Sequence, residues 1–190
     1  GYFVSATTMR TDRFLDQVSL DNLHNAGAFG RAFGRADIRL TDRERIRVQM
    51  MGGSSRFQLA NLRSQQASGQ DQRQALDDVS GWASYLRTLD ANATLELTGG
   101  YRTTAAELLP SAGDTPVTAA QQRRLSTYTA SGRVTRALGR HLIRAGADWQ
   151  RFPVREQFTM AITAPSFNVP GAAGYNDALT AFDLTRGGSP

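Results

Sequence analysis

The sequence predicts an all-β chain, a segment of an antiparallel up-and-down transmembrane β-barrel with about seven to eight long strands. Three observations predict it. Apolar and polar residues alternate with period 2 over long stretches, the mark of strands with two chemically different faces. The connections between these stretches are alternately long and short. In an up-and-down sheet that order puts every short turn on one edge and every long loop on the other, as periplasmic turns and extracellular loops are arranged. Finally, no apolar run reaches about 18 residues, so no membrane helix is expected, whereas a spanning strand needs only about 9–11 residues with every second one apolar.

Taken in order, residues 28–40 set Ala28, Gly30, Ala32, Gly34, Ala36, Ile38 and Leu40 against Phe29, Arg31, Phe33, Arg35, Asp37 and Arg39. The short polar link Thr41-Asp42-Arg43-Glu44 leads to residues 45–51, where Ile46, Val48 and Met50 alternate with Arg45, Arg47 and Gln49. A Ser/Gln-rich connection, 61–74, precedes a segment that reads two ways. Within 72–89, Leu76, Val79, Trp82, Ala83, Leu86 and Leu89 recur at helical spacing, while Gly81, Ser80 and Thr88 disfavour a helix. The turn Asp90-Ala91-Asn92 and the clean strand after it favour strand here. In that next strand, 94–104, Leu95, Leu97, Gly99, Tyr101 and Thr103 oppose Thr94, Glu96, Thr98, Gly100 and Arg102. Residues 105–122, with Pro110, Gly113 and Pro116, read as a long loop. Residues 119–138 repeat the helix ambiguity mildly, but 128–134 alternate Tyr128, Ala130, Gly132 and Val134 with Thr129, Ser131 and Arg133. After Gly139-Arg140, residues 141–151 set Ile143, Ala145, Ala147 and Trp149 against Arg144, Gly146, Asp148 and Gln150. Pro153 breaks this strand, and the following apolar set (Phe152, Val154, Phe158, Met160, Ile162) is expected to mark a bulge or the end of the membrane crossing. Long loops are expected at 15–26 and 163–181, and an eighth strand is expected to start at 182–186.

Composition narrows the function. The net charge of +5 comes from 22 arginines and no lysine, but these are spread among 17 acidic residues, which argues against a nucleic-acid surface. There is no cysteine, hence no disulfide and no thiolate metal site. The mean hydropathy of −0.40 suits a barrel with a wet interior. Neither a nucleophile elbow nor a phosphate loop nor a zinc-type histidine pair is present, so no enzyme activity, metal or cofactor is expected. His24 and His141 stand alone in the sequence, and Asp77 and Asp78 read as a solvated strand end.

The faces carry the functional expectation. Arginine on a lipid-facing position costs about 2–4 kcal/mol near the midplane, so the charged faces should line the lumen. The lumen-facing candidates are Arg31, Arg35, Asp37 and Arg39, Glu96 and Arg102, Arg133, Arg144 and Asp148. The lipid-facing or interfacial-girdle candidates are Ile46, Val48 and Met50, Leu95, Leu97 and Tyr101, with Tyr128, Ile143 and Trp149. An arginine-rich lumen favours anionic solutes or pairs with acidic groups on a plug.

Three stretches carry a family resemblance: GRADIRLTDRERIRVQMMGGSSRFQL at 34–59, GWASYLRTLDANATLELTGGYR at 81–102, and GRHLIRAGADWQRFPVREQFTMAIT at 139–163. Each is an amphipathic strand, a short polar turn and a second strand, and together they resemble the middle of a TonB-dependent outer-membrane receptor barrel. The resemblance is one of pattern along nearly the whole chain. It implies that residues 1–190 are part of one barrel domain of about 22 strands, without the plug or the remaining strands. It also implies a bacterial outer-membrane location and energy-coupled uptake of a nutrient such as a metal chelate or oligosaccharide. The implied partners are outer-membrane lipid, the plug domain of the same protein, an inner-membrane energising complex and a small-molecule ligand, with no nucleic acid. A passive porin-type barrel and a soluble β-rich binding module are the alternatives.

Overall fold

A computed structural model describes residues 1–13, 23–164, 166, 169–171 and 186–188. It contains one antiparallel sheet in which strands adjacent in sequence pair, except that the seventh and eighth both pair along the sixth and not with each other. The strands are β1 (Tyr2–Thr11), β2 (Gly27–Thr41), β3 (Glu44–Gln58), β4 (Arg73–Asp90), β5 (Ala93–Leu109), β6 (Val117–Leu138), β7 (His141–Arg151), β8 (Val154–Ile162) and β9 (Arg186–Gly188). One short helix, α1 (Arg63–Ala67), lies between β3 and β4. The fold is thus all-β and up-and-down, and the sheet is open. The ambiguous segments 72–89 and 119–138 are both strand, the first from Arg73 onward.

Two of the three hairpins on the turn edge are tighter than the sequence suggests, with only Asp42-Arg43 and Ala91-Asn92 outside the strands, and the third is Gly139-Arg140 as expected. Gly139 takes φ +61°, the left-handed conformation that lets a two-residue turn match the strand twist. The other two turns lack such a residue, and each has a one-residue irregularity just before it, at Leu40 and Leu89. On the opposite edge, the expected loop 105–122 shrinks to residues 110–116, because β5 and β6 extend into it on both sides. The expected loops at 15–26 and 163–181 lie partly outside the described residues. So does the expected strand start at 182–186, of which Arg186 alone is described, as the first residue of β9.

Pro153 does not introduce a bulge. Tyr128 pairs with Arg151 and Leu125 with Val154, so the pairing along β6 passes the proline without a slip. Ser126 N–H still donates to Pro153 O at 2.9 Å. Proline has no N–H to return, which accounts for the local break between β7 and β8.

Contacts between elements run between paired strands, and no second layer covers either face among the described residues. The only buried apolar side chains among those residues are Ala75, Ala93 and Ala164. Met50 at 61% exposure and Trp149 at 55% typify the rest. A domain stabilised by its own core would bury such groups. Here the apolar surface is left for something outside the described chain to cover.

Candidate functional site

The strand register gathers the sequence-derived residues onto two faces. Paired residues of neighbouring strands share a face, and one row runs Ala36, Val48, Ala83, Gly99, Ala130, Trp149. The next row towards the loops runs Gly34, Met50, Gly81, Tyr101, Tyr128. Ile46, Leu95, Leu97 and Ile143 stand on this same apolar face by their even spacing from these rows. Arg31, Arg35, Asp37, Arg39, Glu96, Arg102, Arg133, Arg144 and Asp148 all stand on the other.

On the apolar face the charged residues form two borders with a charge-free band between them. The border nearest the turns is Glu44, Arg87, Arg136 and His141; the border nearest the loops is Arg56, Asp77, Glu107, Arg124 and Arg151. Both borders run obliquely to the rows. The row of Glu44 continues through Arg87, Leu95 and Val134 to Ala145, and His141 lies four residues closer to the turns (145 − 141). The row of Arg151 continues through Tyr128, Tyr101 and Gly81 to Met50, six residues closer to the turns than Arg56 (56 − 50). From β3 to β7 there are four strand spacings, about 19 Å, against drops of about 14 Å and 20 Å. The band is therefore inclined to the rows by roughly 35–45°, the tilt of strands in transmembrane barrels.

Aromatic residues gather at the borders of the band. The Tyr101 and Tyr128 rings pack at 5.0 Å between centroids, and Trp149 lies in the adjacent row. At the turn-side border, Tyr85, which the sequence reading passed over, donates its hydroxyl to Glu44 Oε1 at 2.7 Å.

Beyond the row of Tyr101, Tyr128 and Arg151 the two faces exchange character. The apolar face becomes polar, with Arg56 and Asp77 joined by a two-armed ion pair at 3.0 and 2.8 Å. The other face takes up the large apolar groups Met9, Phe29, Leu76, Leu108, Phe158 and Met160. Asp78 falls on that face, opposite Asp77, so the two carboxylates do not act together. A Cβ at Gly53 would meet Asp78 Oδ1 at 2.7 Å and Arg31 Nε at 3.6 Å, so both charged groups lean over that glycine.

The charged face has its densest cluster on the β2–β3 hairpin. Asp37 accepts from Arg35 Nε on one oxygen and from Arg47 Nε on the other, each at 2.6 Å. Arg39 stands directly opposite Arg45. Farther along, Arg133 lies 3.9 Å from Glu96. No ion pair joins Arg144 to Asp148 among the described residues.

At the loop edge, polar groups tie successive connections together. Asp114 is 3% exposed, and its carboxylate accepts from Ser111 N–H and Oγ, Gln72 Nε2 and Thr118 Oγ1. Burial alone would raise its pKa, but these hydrogen bonds outweigh it and hold the carboxyl below its usual range. His24, at φ +66°, uses both ring nitrogens, one on Leu59 O and one on the Asp71 carboxylate. Asp71 is also held below the usual carboxylate range, first by its hydrogen bond from Arg73 and further by His24, against the opposing pull of burial. Gly113 sits against the Gly69 backbone, where a Cβ would fall 2.5 Å from the carbonyl. This network was not anticipated from the sequence, since its members are ordinary loop residues far apart along the chain. Among the described residues no group of acidic, histidine or cysteine side chains could hold a metal ion.

No protein-family model matches the chain, and no curated protein matches its sequence.

Proposed function

We propose that this chain is part of the wall of an outer-membrane transport β-barrel, of the energy-coupled receptor type that the sequence pattern resembles. One observation carries the reading: an uncovered apolar face with a charge-free band, inclined to the strand rows by the tilt that membrane-crossing strands adopt. A soluble sheet would cover that face with a second layer and has no reason to align charges along an oblique line. The lumen side would be the face of Arg31, Asp37, Arg102 and Arg133. The tied loops would form the outer rim, and the two-residue hairpins the periplasmic edge.

The resemblance to a TonB-dependent receptor supports uptake of a scarce nutrient, such as a metal chelate or oligosaccharide, through a plugged lumen. The test is the complete reading frame around this chain together with the behaviour of its product. An upstream plug, further strands to about 22 in all, and extraction from membranes only with detergent are expected. Further strands without a plug would favour a passive pore. A product that is water-soluble and monomeric without detergent would overturn the barrel reading.

A further inference from the structure

The β2–β3 hairpin concentrates charge in a way its own fold does not balance. On the polar face, Arg35, Arg39, Arg45 and Arg47 surround a single carboxylate, Asp37. Arg35 and Arg47 each spend Nε on it, which leaves the outer N–H groups of both guanidinium forks directed elsewhere. Arg39 and Arg45 oppose each other directly across the strands, a like-charge pair that destabilises a sheet by itself. Glu96 lies in the row of Arg45, but Leu86 stands between them and Glu96 is 3.9 Å from Arg133. The four arginine positions span about 14 Å along β2 and one strand spacing across it, a spread that flexible arginine side chains can close around one ligand. Forked, always-charged donors gathered on one small area match the oxygens of a carboxylate or phosphate group.

We infer that Arg35, Arg39, Arg45 and Arg47 form a binding site for a small multivalent anion bearing carboxylate or phosphate groups. The inference rests on the barrel reading, which makes this face part of a water-filled lumen near the turn edge. It adds to that reading a solute class and a place where the solute is held. An acidic segment of the same protein is the rival occupant.

Calorimetric titration of citrate and of inorganic phosphate into the complete gene product in lipid nanodiscs tests this. Compared are the wild type, the double variant Arg39→Gln/Arg45→Gln, and Arg144→Gln as a same-face control away from the cluster. Citrate binding is expected in the wild type and the control, weakened about tenfold or more in the double variant and weakened by added salt. Equal citrate binding in all three overturns the inference. So does absent binding in the wild type with a lowered thermal midpoint in the double variant, which assigns the cluster to an acidic segment of the same chain. A nitroxide at position 97 in the same nanodiscs separates the two levels of the argument. If it contacts lipid and citrate fails the test, only the anion site falls; if it does not contact lipid, the barrel reading falls, and the site with it.

Discussion

β7 and β8 run along the same strand, β6, in one unbroken register, yet they present opposite faces to whatever lies outside the sheet. In β7 the apolar groups Ile143, Ala145, Ala147 and Trp149 share one face; in β8 the apolar groups Val154, Phe158, Met160 and Ile162 share the other. Alternation is the same in both, so backbone geometry does not distinguish them. What differs is the surroundings each stretch suits. β7 is 11 residues long, the length of one membrane crossing. β8 continues past the aromatic border, where in the proposed barrel the outer face would meet water and the inner face would be left to the apolar groups.

That contrast gives its strongest prediction at the middle of the band. Leu97→Arg places a guanidinium on the apolar face and should destabilise the membrane-embedded protein by about 2–4 kcal/mol. Thr98→Arg, one residue on and facing the other way, should change stability by less than about 0.5 kcal/mol. Chemical unfolding from lipid vesicles measures both, and equal costs would break the assignment of faces.

The next effect is steric. A Cβ at Gly146 would lie 2.6 Å from Gly132 O, a backbone atom that cannot swing away. Gly146→Val should therefore push β7 from β6 and cost about 1–3 kcal/mol. Gly99→Ala, whose nearest neighbour would be 4.0 Å away, should be close to neutral in the same assay.

Above the band, Asp114→Asn weakens charge-assisted bonds to Ser111, Gln72 and Thr118 and should loosen the loop edge by about 1–3 kcal/mol while leaving the long strands intact. Faster protease cleavage within 110–116, at unchanged unfolding of the whole, is the expected readout. The pH dependence has a fixed sign. Because the native pKa of Asp114 is lowered, its contribution is full above the unfolded value of about 3.9 and fades as pH falls through the lower native pKa. Loop protection from cleavage by an acid-active protease should thus decline on acidification in the wild type, and less so in Asp114→Asn.

The smallest effect expected is at the junction itself. Pro153→Ala restores the N–H that Ser126 lacks as a partner, and should join β7 to β8 with a gain of about 0.5–1.5 kcal/mol. Slower amide exchange at Ser126 and residue 153 would report it.

The faces of β2, β5 and β7 were legible in the sequence because each sets apolar or small side chains against polar ones at period 2. β4 was ambiguous for a physical reason. Its large apolar groups sit on both faces, Leu76, Trp82 and Leu86 on one and Val79 and Ala83 on the other, and that mixture imitates helical spacing. The 105–122 stretch misled because Pro110, Gly113 and Pro116 dominate its composition, although they occupy only the seven residues of the actual connection. The oblique band was invisible strand by strand, since it exists only once the register aligns Arg56 with Glu107 and Tyr128 with Arg151. The arginine cluster was half legible: Arg35, Asp37 and Arg39 read as one face, but their meeting with Arg45 and Arg47 depends on the exact hairpin.

The most direct test scans single cysteines from position 141 to 162 of this cysteine-free chain, within the complete protein in lipid bilayers, each labelled with a nitroxide. Collisions with oxygen report lipid, and collisions with a water-soluble nickel chelate report solvent. A membrane-crossing β7 gives strict alternation, with oxygen favoured at 143, 145, 147 and 149 and nickel at 144, 146, 148 and 150. Beyond Pro153 the oxygen maxima should vanish, and 155, 157 and 159 should become the nickel-accessible set. Oxygen maxima continuing at 155, 157 and 159, or absent throughout β7, would contradict the assignment of faces.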